Sequence, residues 1–124
     1  MTVEVMITGQ PLHLPPLAVP GCGAVARFDG IVRDQEDGKT IKGLTYEAYD
    51  RMAEKVIREI LAQLNREHPC KRVRVFHRTG FVPVGEAAII MDVHSKHRGE
   101  AFAVMQKFMD RLKRDVPIWK LGSE

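Results

Sequence analysis

Two segments with one-sided helical periodicity, each ended by a proline, place the strongest constraint on how this chain folds. The first runs from Asp50, a candidate N-cap, to about His68 and is stopped by Pro69. The second runs from Ser95, again a candidate N-cap, to about Arg114, with Pro117 as its stop. The first apolar stripe contains Met52, Val56, Ile57, Ile60, Leu61 and Leu64; the second contains Ala101, Met105, Phe108 and Leu112, with Phe102 and Met109 beside them. Both stripes predict helices that pack one side on a core.

The remaining segments alternate in the way that β-strands do. The predicted strands cover residues 3–7, 22–33, 40–49, 72–78 and 87–94, with residues 116–120 extended and residues 79–85 in a loop. The polar loop DQEDGK separates the second and third strands, which we expect to form a hairpin, and Gly30 is a candidate bulge. After the first short strand the order is therefore β-β-α-β-β-α-β. It predicts a single α+β domain over residues 1–124, with a mostly antiparallel sheet and two main helices.

Four of the seven prolines lie between positions 11 and 20. Proline donates no backbone hydrogen bond, so this proline-rich segment is not expected to form a helix interior or a sheet ladder. Its leucine and valine residues nevertheless predict that the segment lies on the core.

The composition excludes several classes of protein. No apolar run approaches the roughly 18 residues of a membrane-spanning helix, and the first residues, MTVEVMITGQ, do not resemble a secretory signal. The two cysteines, Cys22 and Cys70, are too few for a disulfide scaffold, and a reducing cytoplasm is the predicted location. No G-x-S-x-G, P-loop or H-E-x-x-H motif is present. His94 and His97 lie three residues apart, but a strand end followed by a helix start does not hold two histidines well for binding a metal ion. No metal site is predicted.

The net charge of +3 is concentrated in one stretch. Between His94 and Lys120 there are seven Lys or Arg and three Asp or Glu residues, so this stretch carries +4 and the rest of the chain carries −1. A charge of this size is too small for a nucleic-acid-binding surface, and its placement favours a local anion site.

The sequence Ser-Lys-His-Arg at positions 95–98 places basic side chains where a strand leads into a helix N-terminus. That end carries unpaired N–H groups and the positive end of the helix dipole, so cations are unfavourable there unless an anion is bound. A solvated surface turn is the alternative interpretation.

Three further cations are candidate site residues. Lys113 lies in the last predicted helical turn, where the helix dipole is already a sufficient reason for a cation. Lys120 follows the only tryptophan, and partial desolvation beside that ring would favour proton transfer or nucleophilic attack. Arg33 ends a predicted strand and could contact a phosphate through both of its terminal nitrogens.

Six groups of residues, in order along the chain, together form a specific set of motifs. Residues 23–33 fit G-A-x-x-x-F-x-G-x-V-R, and residues 44–49 fit L-x-Y-E-A-Y. Residues 77–80 and 84–87 fit H-R-x-G and V-G-E-A, residues 95–102 fit S-x-H-R-x-E-A-F, and residues 111–120 fit R-L-K-x-x-V-P-I-W-K. This set resembles the catalytic (large) subunit family of molybdopterin synthase over nearly the whole chain.

The resemblance implies an α/β-hammerhead fold and a homodimer in which each chain binds one small, ubiquitin-like subunit, giving a heterotetramer. The small subunit's C-terminal Gly-Gly would end in a thiocarboxylate that enters a pocket on this chain. The implied activity is a sulfurtransferase that inserts two sulfurs into cyclic pyranopterin monophosphate, making the dithiolene of molybdopterin. No metal, other cofactor, nucleic acid or membrane is implied.

By residue match, the resemblance also implies that Arg33, His97, Arg98, Lys113 and Lys120 line the substrate pocket. The arginines and His97 are expected chiefly to bind phosphate and pterin. Lys113 and Lys120 are expected to be catalytic: one handles protons or a covalent adduct, and the other stabilises charge on the thiocarboxylate carbonyl.

The spacing of these residues bears on the oligomeric state. His97 and Lys113 lie 16 residues apart, roughly 24 Å along a helix, so one helix cannot bring them together. In the family the His-Arg pair reaches the active site from the neighbouring protomer, which agrees with this distance. Lys96 replaces the family's usual proline, so the helix start is expected to be looser and the site more cationic.

Two other functions fit some of the same features. A small phosphohydrolase of the acylphosphatase type also combines an arginine with a compact α+β sheet, and would act on an acyl phosphate without a partner. A nucleic-acid-binding module would show a steep dependence of affinity on salt, but the small net charge and few aromatic residues argue against it.

Overall fold

Alternating apolar residues and two one-sided stripes divide the chain into strands and two long helices, which confirms the predicted α+β class. The structure, a computed structural model, describes residues 1–124. Its elements are β1 (Thr2–Thr8), β2 (Ala24–Ile31), β3 (Gln35–Glu36), β4 (Lys39–Thr40), β5 (Gly43–Ala48), α1 (Asp50–Glu67), β6 (Arg72–Arg78), β7 (Gly80–Pro83), β8 (Ala87–Ser95), α2 (Arg98–Asp115) and β9 (Ile118–Ser123).

Four strands form the main sheet in the order β1-β6-β8-β2, with β1 and β6 parallel and the other pairs antiparallel. Side chains alternate between the two faces of a strand, so β6 and β8 each place one apolar row against α1 and α2. Val75 and Met91 of these rows are fully buried in the same cluster as Ile57 and Phe108 of the helices. Each such side chain contributes roughly 1.5–3 kcal/mol by leaving water, so this layer is the main core.

The first helix agrees with its predicted span, but two details were wrong. Its N-cap is Tyr49, with no side-chain cap hydrogen bond, and Asp50 is instead the first helical residue. A carboxylate in that turn still interacts favourably with the helix dipole. The residues that α1 buries are Ala53, Ile57, Ile60, Leu61 and Leu64, whereas Met52 is 52% exposed and Val56 is half-buried. Helix α1 therefore buries one side, as predicted, but the buried stripe is rotated slightly around the helix from the predicted one.

The second helix shows a similar shift. Its N-cap is His97, and Ser95 is not a cap, because the Ser95 hydroxyl donates to the backbone carbonyl of His97. Phe102, predicted beside the core face, is 61% exposed, and Val104, which was not predicted, is buried with Ala101, Phe108 and Leu112. Met105 and Met109 are half-buried against that core.

The predicted hairpin between residues 22–33 and 40–49 was wrong. Strand β2 pairs with β8, whereas β5 pairs with β7 and β9 in a second, three-stranded sheet. The DQEDGK loop does contain a hairpin, but a small one between β3 and β4, whose turn uses positive φ at Asp37 and Gly38. Residues 79–85, predicted as a loop, include β7; Gly80 begins that strand with a φ of 79°.

The proline-rich segment packs on the face of the main sheet opposite the helices. Leu14 is buried there with Phe76 and Ile90, which confirms that this segment lies on the core. Its carbonyl groups find no strand partner and accept from arginine instead: Arg27 donates to Leu14 at 2.6 Å and Arg74 to Pro15 at 2.9 Å. Arginine side chains thus replace the missing sheet ladder.

Arg74 also belongs to a buried polar network with Asp92 and His94. The Arg74 guanidinium donates from two nitrogens to the Asp92 carboxylate, and His94 Nε2 lies 3.0 Å from the same carboxylate. Burial acts to raise the pKa of Asp92, but the hydrogen bonds from Arg74 and His94 outweigh it and lower that pKa below its ordinary value. The network therefore holds an ionised carboxylate inside the protein.

Neither helix combines the length and the apolar character that a membrane span requires. Both cysteines are free; Cys22 is half-buried and Cys70 is buried.

Candidate active site

The start of α2 forms one side of a cleft, here named the helix-start cleft. Its lining residues are Gly23, Ala24, Lys96, His97, Arg98 and Gly99, around a volume of about 680 Å³. Lys96, His97 and Arg98 are all exposed. The unpaired N–H groups of the first helical turn and these three basic side chains lie at the same place, so the cleft suits an anion.

Glycine is required on the opposite side of this cleft. The backbone N–H of Gly23 donates to the carbonyls of Ser95 and Lys96 at 3.1 and 3.2 Å. A Cβ atom at this position would lie 2.9 Å from the Lys96 carbonyl oxygen, closer than side chains tolerate. The close approach ties the beginning of β2 to the loop that presents His97 and Arg98.

The end of α2 borders a second cavity, here named the lysine cleft, with a volume of about 520 Å³. Lys113 of the last helical turn and Lys120 of β9 both line it. The other lining residues, mostly apolar, are Phe28, Gly30, Ile31, Tyr46, His77, Ala88, Ile89, Met109, Leu112, Ile118 and Trp119. The chain reverses between the two lysines at Pro117, whose carbonyl accepts from the Tyr49 N–H at 3.1 Å. This reversal places two cations on one largely apolar cavity.

The surroundings of Lys120 differ in part from the predicted desolvation beside Trp119. Half of the Lys120 side chain (50%) stays exposed, and its Nζ lies 3.6 Å from the Glu36 carboxylate. The Trp119 ring packs edge-on against Tyr49, with 5.0 Å between ring centres. Lys120 is thus paired at the mouth of the lysine cleft, where it can exchange Glu36 for an anionic ligand.

Two lining residues of the lysine cleft were not singled out as site residues from the sequence. Tyr46 lies opposite Lys120 in the β5–β9 ladder, and its ring packs edge-on against His77 at 5.5 Å. Burial, followed by the charge of Glu36, raises the pKa of the Tyr46 phenol. Burial lowers the pKa of His77, with the Arg78 carbonyl acting in the opposite direction. Tyr46 lies in the L-x-Y-E-A-Y motif and His77 in the H-R-x-G motif. These motifs were the sequence signal that could have identified both residues.

Arg33 lies in neither cleft. It is exposed, follows β2 directly after the buried Val32, and makes no side-chain hydrogen bond or ion pair within the chain. Of the five predicted site residues, one chain therefore brings together Lys113 with Lys120 and His97 with Arg98. Arg33 stands apart from both pairs.

The two clefts lie at opposite ends of the same helix. Fifteen residues separate Arg98 from Lys113 along α2, which corresponds to roughly 22 Å. A substrate of ordinary metabolite size cannot contact both clefts of one chain. No group of three or more His, Cys, Asp or Glu side chains is arranged to hold a metal ion. The side chains and backbone that line the two clefts offer cations, a phenol, imidazoles and N–H donors.

Comparisons with known proteins show the family to which this chain belongs. Residues 7–115 match the family model described as "MoaE protein". The chain is 45% identical over 101 residues to the molybdopterin synthase catalytic subunit of Homo sapiens, which covers 82% of this chain and 54% of that protein. It spans about half the length of this and other mammalian relatives.

Solved structures give the same result for the fold. The crystal structure of molybdopterin synthase from Staphylococcus aureus matches with a TM-score of 0.86 and 32% identity, over 98% of this chain and 93% of that chain. A complex of subunits 1 and 2 of molybdopterin-converting factor from Helicobacter pylori matches with a TM-score of 0.71 and 20% identity, over 95% of this chain and 82% of that chain. On the family match and the 45% identity to the human protein, the chain belongs to the MoaE family.

Proposed function

We propose that this chain is the catalytic subunit of a molybdopterin synthase. In this reaction two sulfurs pass from the thiocarboxylated C-terminus of a small ubiquitin-like subunit to cyclic pyranopterin monophosphate. The observation that carries the proposal is the lysine cleft, where Lys113 and Lys120 share one cavity in a member of the MoaE family. The sulfur arrives on the partner, so the free cysteines of this chain need no role in the chemistry.

The shape and lining of the lysine cleft suit the end of such a partner. A Gly-Gly terminus carries no side chains and can lie in a mostly apolar cleft of this size. The terminal thiocarboxylate is an anion, and Lys113 and Lys120 are the cations that face it. One lysine is proposed to stabilise negative charge on the thiocarboxylate carbonyl as sulfur leaves, and the other to transfer protons or hold the substrate covalently.

The helix-start cleft is proposed to complete the same active site in a homodimer. His97 and Arg98 of one protomer would bind the substrate phosphate beside the lysines of its partner, since one chain holds the two pairs about a helix length apart. Arg33 is exposed and unpaired, and is proposed to join the phosphate and pterin contacts in that assembly. With one small subunit on each protomer, the assembly would be a heterotetramer. Cytoplasm is the proposed location, in keeping with free thiols.

Reconstitution tests the function directly. The purified chain, the thiocarboxylated small subunit and cyclic pyranopterin monophosphate are expected to yield molybdopterin, measured as its oxidised fluorescent derivative. The matched control uses the small subunit with an ordinary carboxylate, which carries no sulfur and should give no product. Hydrolysis of an acyl phosphate by this chain alone, without product in the full mixture, would instead support the phosphohydrolase interpretation.

Complementation between two inactive variants tests the shared site. One variant carries His97→Ala and Arg98→Ala, and the other carries Lys113→Ala and Lys120→Ala. Each is expected to be nearly inactive alone. After the subunits are mixed and exchanged, half of the dimers are mixed and each contains one intact site, so about a quarter of the wild-type activity should return. Recovery of no activity, with exchange verified by mass, would contradict a site shared between protomers.

A further inference from the structure

His77 lies at the inner wall of the lysine cleft, near the end of β6. It is 6% exposed, and the residues opposite it on the neighbouring strands, Ile7 and Ile89, are apolar. A histidine buried this deeply among apolar groups loses the hydration of its ring nitrogens, which costs free energy unless those nitrogens find other partners. Its ring nevertheless lines the same cavity as Lys113 and Lys120.

The hydrogen bond at one ring nitrogen determines the tautomer. His77 Nδ1 lies 2.8 Å from the backbone carbonyl oxygen of Arg78. A carbonyl only accepts, so Nδ1 must carry the proton and Nε2 of the neutral ring must carry a lone pair. Nε2 has no hydrogen-bond partner within the chain and is not one of the fully enclosed unpaired nitrogens, and the ring that carries it lines the lysine cleft.

The other polar groups around His77 make this lone pair distinctive. Lys113 and Lys120 present ammonium donors from α2 and β9, and the Tyr46 phenol from β5 remains protonated because its pKa is raised. Glu36 of β3 is engaged with Lys120 at the cleft mouth. Arg78, the next residue, pairs with Glu86 at 2.8 Å. The lysine cleft thus combines one neutral acceptor, His77 Nε2, with several donor groups.

We propose that His77 is a further catalytic residue: its Nε2 accepts a hydrogen bond, and during turnover a proton, from an N–H or O–H group of the heterocyclic substrate. This inference rests on the function proposed above. The proton moves from the substrate to Nε2, its electron pair stays on the substrate atom, and the resulting imidazolium returns the proton to the product or to water. Burial keeps the pKa of His77 below its ordinary value of 6.5, so the ring is neutral at pH 7 and able to accept.

Two substitutions separate the roles of the two ring nitrogens. In His77→Asn the amide can still donate to the Arg78 carbonyl but offers nothing at the Nε2 position. In His77→Gln the longer side chain can place an amide oxygen near the Nε2 position, which accepts a hydrogen bond but not a proton. His13→Gln, at an exposed site in the proline-rich segment, is the matched control.

The reconstituted reaction is measured for all four proteins between pH 5 and 8. We expect kcat to fall about 10²-fold or more in both His77 variants, with KM raised in His77→Asn and close to wild type in His77→Gln. The wild-type kcat should decline as the pH falls through the lowered pKa of His77, because the neutral ring is the active form. That acid limb should be absent from His77→Gln and present in His13→Gln.

Wild-type kcat and an unchanged acid limb in folded His77→Asn and His77→Gln would overturn the inference while leaving the proposed function intact. A wild-type chain that makes no molybdopterin would instead contradict the function itself. A second measurement does not depend on the variants: long-range ¹H–¹⁵N spectra of the wild-type chain at pH 7 should show His77 protonated at Nδ1. The Nε2 resonance should shift when cyclic pyranopterin monophosphate is added. An Nε2-protonated ring, or an unchanged resonance at saturating substrate, would also overturn the inference.

Discussion

Replacing Lys113 and Lys120 together with alanine is expected to reduce molybdopterin formation by 10³-fold or more while the chain stays folded. The activity loss follows because both cations of the lysine cleft disappear, and removal of one electrostatic or proton-transferring group typically costs about 10²–10³-fold. The stability cost should be small. Lys113 is exposed in the last turn of α2, where alanine is a good helix former, and the exposed pair between Lys120 and Glu36 is worth about 1 kcal/mol or less.

The matched control for these lysines is Arg114→Ala. Arg114 lies beside Lys113 in the same turn, its side chain is 70% exposed, and it does not line the lysine cleft. This variant should keep nearly all activity. Lys113→Arg and Lys120→Arg, tested singly, separate charge from a reactive amine, because guanidinium remains charged and is not a nucleophile. Activity close to wild type in the folded double alanine variant would refute the roles proposed for both lysines.

Replacing Arg74 with methionine is expected to lower the free energy of unfolding by about 3–5 kcal/mol. The substitution leaves the Asp92 carboxylate buried without its guanidinium partner and removes the donor to the Pro15 carbonyl. Urea unfolding, followed by far-UV circular dichroism, measures the change. Because a domain of this size has only about 5–15 kcal/mol of stability, the effect should be large.

Arg72→Met is the matched control for this prediction. Arg72 lies on the same face of β6, but it pairs with Glu4 at 3.1 Å and both side chains are partly exposed, so its replacement should cost about 1 kcal/mol or less. The double variant Arg74→Met with Asp92→Leu should recover part of the loss, since no uncompensated charge then remains in the core. An Arg74→Met variant as stable as Arg72→Met would contradict the importance of the buried network.

The helices were predictable because their signals are local. A one-sided stripe and a stopping proline depend only on residues a few positions apart, so α1 and α2 begin and end within a few residues of the prediction. The errors within them are also local: Met52 and Phe102 are each one position from the buried stripe and lie roughly 100° around the helix.

Strand pairing, in contrast, could not be predicted from local sequence patterns. The segments 22–33 and 40–49 both alternate, and their closeness in sequence favoured a hairpin. The fold instead pairs β2 with β8, which lies more than fifty residues later, because that arrangement buries Ala26 beneath the helices. Which strands pair depends on packing between distant segments, and an alternating pattern within one segment carries no information about that packing.

By itself, the sequence determined the α+β class, the two helices, the concentration of charge between His94 and Lys120, and the motifs that match the MoaE family. Only the tertiary structure decided how those residues are grouped. It put Lys113 and Lys120 on one cavity, kept His97 and Arg98 at the far end of α2, left Arg33 outside both clefts, and placed His77 on the same cavity as the lysines. The physical reason is that residue types follow from the chain alone, whereas cavities, burial and free lone pairs arise only where distant segments meet.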